Sequence, residues 1–237
     1  MSRSNPSQHL ANPSTRWFEW HGEKGLIRYY NRETKANVDV PLPFGFLLLD
    51  ELASVRGWHD ASSSGIYSNE VRDTAAEMLV VKAFKGGTIA EGFYKAIKDR
   101  VNAAGGDYTA NCYIAYKADD GYQIGSLRFK GAALGGWMEF RKAHRSAIYQ
   151  KAIRITGYTE GKKGKVTFRV PTFECFDVSA DAEAAAVGLD KELQTFLGGY
   201  LKKNKTDQAD TTEPAHLTDE QVAYDMPPVT TDEIIPF

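Results

Sequence analysis

Ile153-Arg154-Ile155-Thr156-Gly157-Tyr158 and Lys165-Val166-Thr167-Phe168-Arg169-Val170, joined by a run containing Glu160-Gly161-Lys162-Lys163-Gly164, decide the class of this fold. Val166, Phe168 and Val170 alternate with Lys165, Thr167 and Arg169, and a period of two puts the apolar side chains on one face of a strand and the polar ones on the other. Two such runs around a Gly- and Lys-rich turn read as an antiparallel hairpin with one face in the core and one basic face.

Working outward, Asp107 to Lys117 and Gly121 to Lys130 flank Asp119-Asp120-Gly121, a strong hairpin-turn signal. Nearer the start, Arg16 to Trp20, a Gly22 to Gly25 turn and Leu26 to Tyr30 form another hairpin, followed by Asn37 to Val40, which stops at Pro41. Phe44 to Leu49 is a continuous apolar run suited to a strand buried on both faces, and Ile66 to Ser68 and Met78 to Phe84 are further strands, ended by Gly86-Gly87. A helix is expected from Thr88 as N-cap, with Ile89, Phe93, Ile97 and Val101 as its apolar stripe and Gly105-Gly106 as its end. A last helix starts at Ser179 and runs through Ala185, Ala186, Leu189, Leu193, Phe196 and Leu197 to Gly198-Gly199. The expected fold is mainly β with added helices: an OB-fold-like antiparallel β-barrel with an inserted helix, a C-terminal helix and a disordered acidic tail. An open α+β sheet satisfies the same order of elements.

With 237 residues, 42% hydrophobic and 12% aromatic, the chain can bury one substantial core. The expected division is a flexible arm over 1–14, rich in Ser, Asn and Pro, one domain over 15–203, and a tail over 204–237. The net charge of −2 conceals a split: residues 1–205 hold all 29 Lys and Arg against 23 of the 31 acids, a net +6, and residues 206–237 hold the other eight acids and no Lys or Arg. Cys112 and Cys175 sit apart in apolar runs and read as reduced, buried thiols, which points to a cytoplasmic setting. The N-terminus has no apolar signal-like region, and no stretch approaches the ~18 apolar residues of a spanning helix, so no membrane association is expected.

Cations are interleaved with aromatic residues along the strands. Arg16, Trp17, Trp20, Arg28, Tyr29, Tyr30, Arg32 and Lys35 cluster first; Tyr113, Tyr116 and Lys117, then Arg128, Phe129 and Lys130 follow; Arg154, Tyr158, Lys162, Lys163, Lys165 and Arg169 close the series. Binding of a single nucleic-acid strand without sequence preference needs this combination, cations along the phosphates and flat rings for bases to stack on. Trp17, Phe18, Phe129 and Phe168 are expected in the core, Trp20 and Tyr30 are open between core and surface, and Lys162 and Lys163 either form a solvated turn or wrap the strand. The candidate contacts to single-stranded DNA are therefore Arg16, Trp20, Arg28, Tyr30, Arg32, Lys35, Tyr113, Tyr116, Lys117, Arg128, Lys130, Arg154, Tyr158, Lys162, Lys163, Lys165 and Arg169.

Signals for an enzyme are weak, and no cofactor or metal is expected. Gly157 to Lys163 is one residue short of a phosphate-cradling loop, and His9, His21, His59, His144 and His216 lack metal-ligand spacing. Glu33-Thr34-Lys35 has the spacing of a metal-dependent nuclease but lacks an upstream Asp. Trp58-His59-Asp60 followed by Ser62-Ser63-Ser64 holds triad residue types in a Ser-rich loop where they read as incidental.

From Thr206 on, Asp207, Asp210, Glu213, Asp219, Glu220 and Asp225 are interspersed with Pro214, Pro227 and Pro228, a composition that predicts a disordered tail. It ends in Asp232-Glu233-Ile234-Ile235-Pro236-Phe237, two acids and an apolar pair before a terminal aromatic. This ending resembles the C-terminal tails of bacterial single-stranded-DNA-binding proteins, whose acidic run and Ile-Pro-Phe tip recruit replication and repair partners. An acidic tail tethered to a basic groove also competes with nucleic acid for it. The body is similar to proteins of phage replication modules through Leu49-Asp50-Glu51-Leu52, Arg56-Gly57-Trp58-His59-Asp60, Tyr67-Ser68-Asn69-Glu70-Val71-Arg72 and Lys82-Ala83-Phe84-Lys85-Gly86-Gly87, over roughly residues 12 to 200. That resemblance implies a non-enzymatic, phage-type single-stranded-DNA-binding protein in the infected host's cytoplasm. Asp232 to Phe237 would meet a polymerase, primase, helicase or nuclease. The body does not show the pattern of the bacterial protein's own OB domain, so the bacterial tetramer and stacking residues do not carry over, and a homo-oligomer stays open. A metal-dependent nuclease, a recombination annealase and a protein-recruiting adaptor without DNA binding are the alternatives.

Overall fold

The computed structural model describes residues 11–145 and 147–209; the tail beyond Ala209 with its tip, and the first ten residues of the arm, lie outside the described residues. In chain order the elements are β1 (Arg16–His21), β2 (Leu26–Asn31), β3 (Ala36–Val40), β4 (Phe44–His59), β5 (Ser64–Ser68), β6 (Leu79–Ala83), β7 (Gly87–Gly92), α1 (Tyr94–Ala103), β8 (Gly106–Ala118), β9 (Gly121–Lys130), α2 (Gly131–Ala143), β10 (Ala152–Lys163), β11 (Val166–Phe176) and α3 (Ala180–Ala209). A 3₁₀ turn over Asp60–Ser62 precedes β5. The described chain is mainly β, an open, mixed set of eleven strands with three α-helices. The sequence reading placed one domain over 15–203; packing groups the described residues into two compact units, 11–51 with 110–209, and 52–109.

In the first unit the strand order is β3-β2-β1-β9-β8-β4, with β10 on β4 and β11 on β10. β1 and β2 form the expected hairpin, pairing Phe18 with Tyr29 and Trp20 with Ile27. β1 lies parallel to β9, Phe18 beside Leu127, so the sheet is mixed where the sequence suggested antiparallel strands throughout. The start of β1 is fastened there: Thr15 N–H donates to the Ile124 carbonyl at 2.8 Å. Ser14, assigned from sequence to the flexible arm, is buried, and its N–H donates to Asn12 Oδ1.

The core of this unit is aromatic. Phe18, Trp20, Phe46, Tyr116, Phe129, Trp137 and Phe140 share one cluster, with Trp137 stacked on Phe129 at 5.2 Å between ring centroids. Helix α2, which the sequence reading did not identify, places Ala133, Trp137 and Phe140 on that cluster at helical spacing. Its glycines Gly131, Gly135 and Gly136 lower intrinsic helix propensity, so tertiary burial supplies what propensity does not.

Neighbouring carboxylates on β4 address different helices, because successive strand side chains point to opposite faces. Gln194 of α3 donates to Asp50 Oδ2 at 3.1 Å. Trp137 Nε1–H and Arg141 of α2 donate to Glu51, at 2.8 and 2.5 Å. Burial pushes the Glu51 carboxyl above its ordinary pKa and the enclosed Cys112 thiol well up, which leaves that thiol inert.

Helix α3 starts as expected, with Ser179 Oγ accepting the Ala182 N–H at 3.3 Å. It does not stop at Gly198-Gly199 but continues to Ala209, past the expected domain end. Buried Leu197 on one side of the glycines, and Tyr200 stacked on Phe196 across them, carry the helix through the weak point. Among the described residues no helix is long and apolar enough to cross a membrane.

The β10–β11 hairpin pairs without a long loop, from Ala152 opposite Phe176 to Lys163 opposite Val166. Only Gly164 and Lys165 are left for the turn, and Gly164 takes φ +61, which glycine adopts without strain. The sequence reading gave Val166, Phe168 and Val170 to the core. In the structure Val166, beside the turn, is 41% exposed and the other two are half-buried, Val170 lying close to Gly136 of α2.

In the second unit β4, β5, β6 and β7 follow one another as antiparallel neighbours, and α1 covers them with Ile97 and Val101. The helix predicted from Thr88 begins only at Tyr94, after Phe93. Thr88 and Ile89 belong to β7, paired with β6, and Phe93 is exposed. A spacing of four satisfies a strand period of two as well as a helical turn, so Ile89 and Phe93 did not discriminate. Phe44 to Leu49, expected to be buried on both faces, instead alternates between buried and half-exposed positions.

Candidate functional site

Strand alternation divides the basic, aromatic residues of the first hairpin between two faces. Arg16, Tyr29 and Trp20 share the side of the aromatic core, while Arg28, paired in register with Glu19 and Asp39, lies on the other with Tyr30. On the core side a cavity of about 650 Å³ opens at the edge of the sheet. Tyr29, Phe44, Tyr116, Tyr122 and Phe176 contribute rings to its lining, Arg16 and Lys117 the cations, and Asp177 an acid. The Arg16 guanidinium stands 4.9 Å from the centre of the Tyr29 ring and 5.8 Å from that of Tyr116. Arg154 caps Phe176 at 4.4 Å, a diagonal neighbour across β10 and β11.

The sequence named Arg16, Lys117 and Arg154 for this region but overlooked Phe44, Tyr122 and Phe176. Phe44 was absorbed into an apolar run, and Tyr122 follows the Asp-Asp-Gly turn. Phe176 reaches the lining only through the β10–β11 register, opposite Ala152.

Four of the seventeen predicted contact residues are interior. Tyr113 is 1% and Tyr116 2% exposed, and the Tyr116 hydroxyl is held between Thr15 and Gln123. Trp20 is 7% exposed and its Nε1–H donates to the Arg169 carbonyl at 2.8 Å. Arg128 is also buried, 4.0 Å from Glu19. The physical reason is burial: Tyr113, Tyr116 and Arg128 sit on β8 and β9, which are buried on both faces at those positions, and Trp20 sits on the core face of β1, so none of the four presents an open surface to a base or phosphate.

On the opposite face Arg28 Nε donates to Asp39 at 2.8 Å, and this hydrogen bond draws the Asp39 carboxyl below its ordinary pKa. Arg32 lies over the half-buried Trp17 at 5.4 Å, with Tyr30 exposed nearby in sequence. Glu33 and Lys35 of the nuclease-like spacing sit in the turn between β2 and β3, where Asn31 Oδ1 accepts the N–H groups of Glu33 and Thr34. Among the described residues no group of three His, Cys, Asp or Glu side chains is arranged to hold a metal ion.

The third basic region is the β10–β11 hairpin. Three register pairs from its turn, Arg169 lies 5.1 Å over Tyr158, pairs with Glu160 at 3.0 Å and donates its backbone N–H to the Gly22 carbonyl. Gly25 fits beneath Tyr158 and Arg169 so closely that a Cβ there would come within 2.5 Å of both side chains. This part of the hairpin is therefore anchored against the β1–β2 turn. Lys162, Lys163 and Lys165 stand exposed at the tip, and Lys130 is exposed at the end of β9. Comparison of the chain with protein-family models, curated proteins and solved structures finds no match.

Proposed function

We propose that this chain is a sequence-nonspecific single-stranded-DNA-binding protein of a phage replication or recombination module. The observation that carries the reading is the ring-lined cavity of about 650 Å³ with Arg16 and Lys117 in its wall. Rings at the lip of such a cavity offer stacking surface to bases of any sequence, and cations beside them meet phosphates. The exposed lysines of the β10–β11 tip supply a further basic patch, and Trp17, Tyr30 and Arg32 another on the opposite face. The OB-like reading of the fold belongs to this proposal, with β1, β9, β8, β4 and β10 around the aromatic core as its strands.

At the cavity the protein binds and does no chemistry. The acidic tail competes with DNA for these basic patches, and its tip, Asp232 to Phe237, recruits replication or recombination enzymes in the host cytoplasm. Binding weakens with salt, because released counterions supply much of its free energy.

The test is titration of the protein, with and without its last six residues, against a fluorescent single-stranded oligonucleotide and the matching duplex at several salt concentrations. Salt-sensitive preference for the single strand, equal or stronger without the tip, supports the reading. Absence of binding in both forms at low salt overturns it and favours a protein-recruiting adaptor.

A further inference from the structure

The loop His59-Asp60-Ala61-Ser62-Ser63-Ser64 of the second unit holds the triad residue types noted in the sequence, and the fold brings two of them together. His59 Nδ1 lies 2.7 Å from Ser62 Oγ, and Ser62 Oγ lies 2.8 Å from Ser64 Oγ. Ser64 is buried and held in turn by the Lys85 backbone N–H, which donates to its Oγ at 3.1 Å. In the tautomer with the imidazole proton on Nε2, Ser64 O–H donates to Ser62 Oγ and Ser62 O–H donates to His59 Nδ1. The Asp60 backbone carbonyl accepts the Ser63 N–H and shapes the turn.

Two backbone features present this pair. Ser63 has φ +46, a left-handed conformation that side-chain-bearing residues rarely adopt, and it turns the chain sharply from the 3₁₀ turn into β5. Ser62 is left half-exposed at that corner. Gly86, on the turn after β6, faces the pair: a Cβ there would lie 3.0 Å from Ser62 Oγ and 3.1 Å from His59 Nδ1. Glycine at this position lets the turn after β6 pack close to both atoms, a role beyond ending a strand.

We propose that Ser62 is an activated nucleophile which accepts acyl groups from small activated esters, with His59 as its general base. The hydroxyl proton passes to His59 Nδ1 as Ser62 Oγ bonds the acyl carbon. The bond from that carbon to the leaving oxygen then breaks, and the imidazolium returns its proton to the departing alkoxide. The products are an ester on Ser62 and a free alcohol or phenol, with no other reactant consumed. This acylation site lies on residues of the second unit and is independent of the DNA-binding reading.

The experiment mixes the full chain, without DNA, with p-nitrophenyl acetate. It follows nitrophenol release, intact mass and the acetylated peptide. A burst of about one nitrophenol per chain is expected, with acetyl on Ser62. Ser62→Ala abolishes that adduct, and His59→Gln slows it at least about a hundredfold, the usual contribution of a positioned base. Gly86→Ala slows it as well by crowding both atoms. Acetylation confined to lysines and the N-terminus of the unaltered protein, a result independent of how any variant folds, overturns the proposal. So does a Ser62 adduct that forms equally fast in a His59→Gln protein of unchanged thermal melting.

Discussion

Replacing Lys162, Lys163 and Lys165 together by Gln removes three exposed cations from the hairpin tip while leaving Gly164, whose φ of +61 sets the turn. The anchored segment, where Arg169 spans Tyr158 and Glu160, is untouched, so the melting temperature should stay within a degree or so of the parent. If each lysine meets one phosphate of a single strand, each contributes about 0.7 to the slope of log K against log salt, so the slope should shrink by about 2. At about 0.1 M salt those contacts are worth roughly two decades of affinity, or about 3 kcal/mol, and at about 0.5 M only about fourfold. Fluorescence anisotropy with a labelled oligo-dT, titrated across that salt range, measures both quantities. An affinity loss that is the same at every salt concentration, or a slope equal to the parent's, would refute the assignment of the tip to phosphate contact.

Three further outcomes test other parts of the structure. Tyr122→Ala, at the cavity, should weaken single-strand binding by about 1–3 kcal/mol with the salt slope unchanged, since a lost stacking ring carries no counterion; a changed slope in the same titration would argue against stacking. Glu51→Gln tests the buried carboxylate. Because burial raises the folded-state pKa of Glu51, the unfolded chain releases this proton at lower pH than the folded one, and parent stability falls as pH climbs from the ordinary glutamate value to the raised one. The stability of the Gln variant relative to the parent should therefore rise with pH over that window in urea melts, and a falling difference would contradict the sign. Gly57→Ala should cost about 1–3 kcal/mol of stability in the same melts, because the new methyl would meet the Gly105 carbonyl oxygen at 2.0 Å, and unchanged stability would mean that this backbone contact yields freely.

Much of the sheet is legible in the sequence alone. The β1–β2, β8–β9 and β10–β11 hairpins follow from alternation around turns rich in Gly, Asp and Lys, because partners close in sequence need only a turn to meet. The N-cap of α3 at Ser179 was legible for a similar reason, being a local hydrogen bond. What escaped was decided at a distance: α2 is held by the burial of Trp137 and Phe140 against local glycines, and β7 displaced a predicted helical turn because β6 offered it a ladder. The basic and aromatic residues were recognised by type, but their faces were not.

By itself, the sequence determined the β-rich class, the local hairpins, the charge split between body and tail and the inventory of cations and rings. Those properties depend on composition and on neighbours a few residues apart. Only the tertiary structure decided that Trp20, Tyr113, Tyr116 and Arg128 are interior and that Tyr122 and Phe176 reach the cavity lined by Arg16. Each of these outcomes turns on strand register and on which face a neighbouring element covers. A shift of one residue reverses every side chain on a strand, and no single stretch of chain specifies its partner across the sheet.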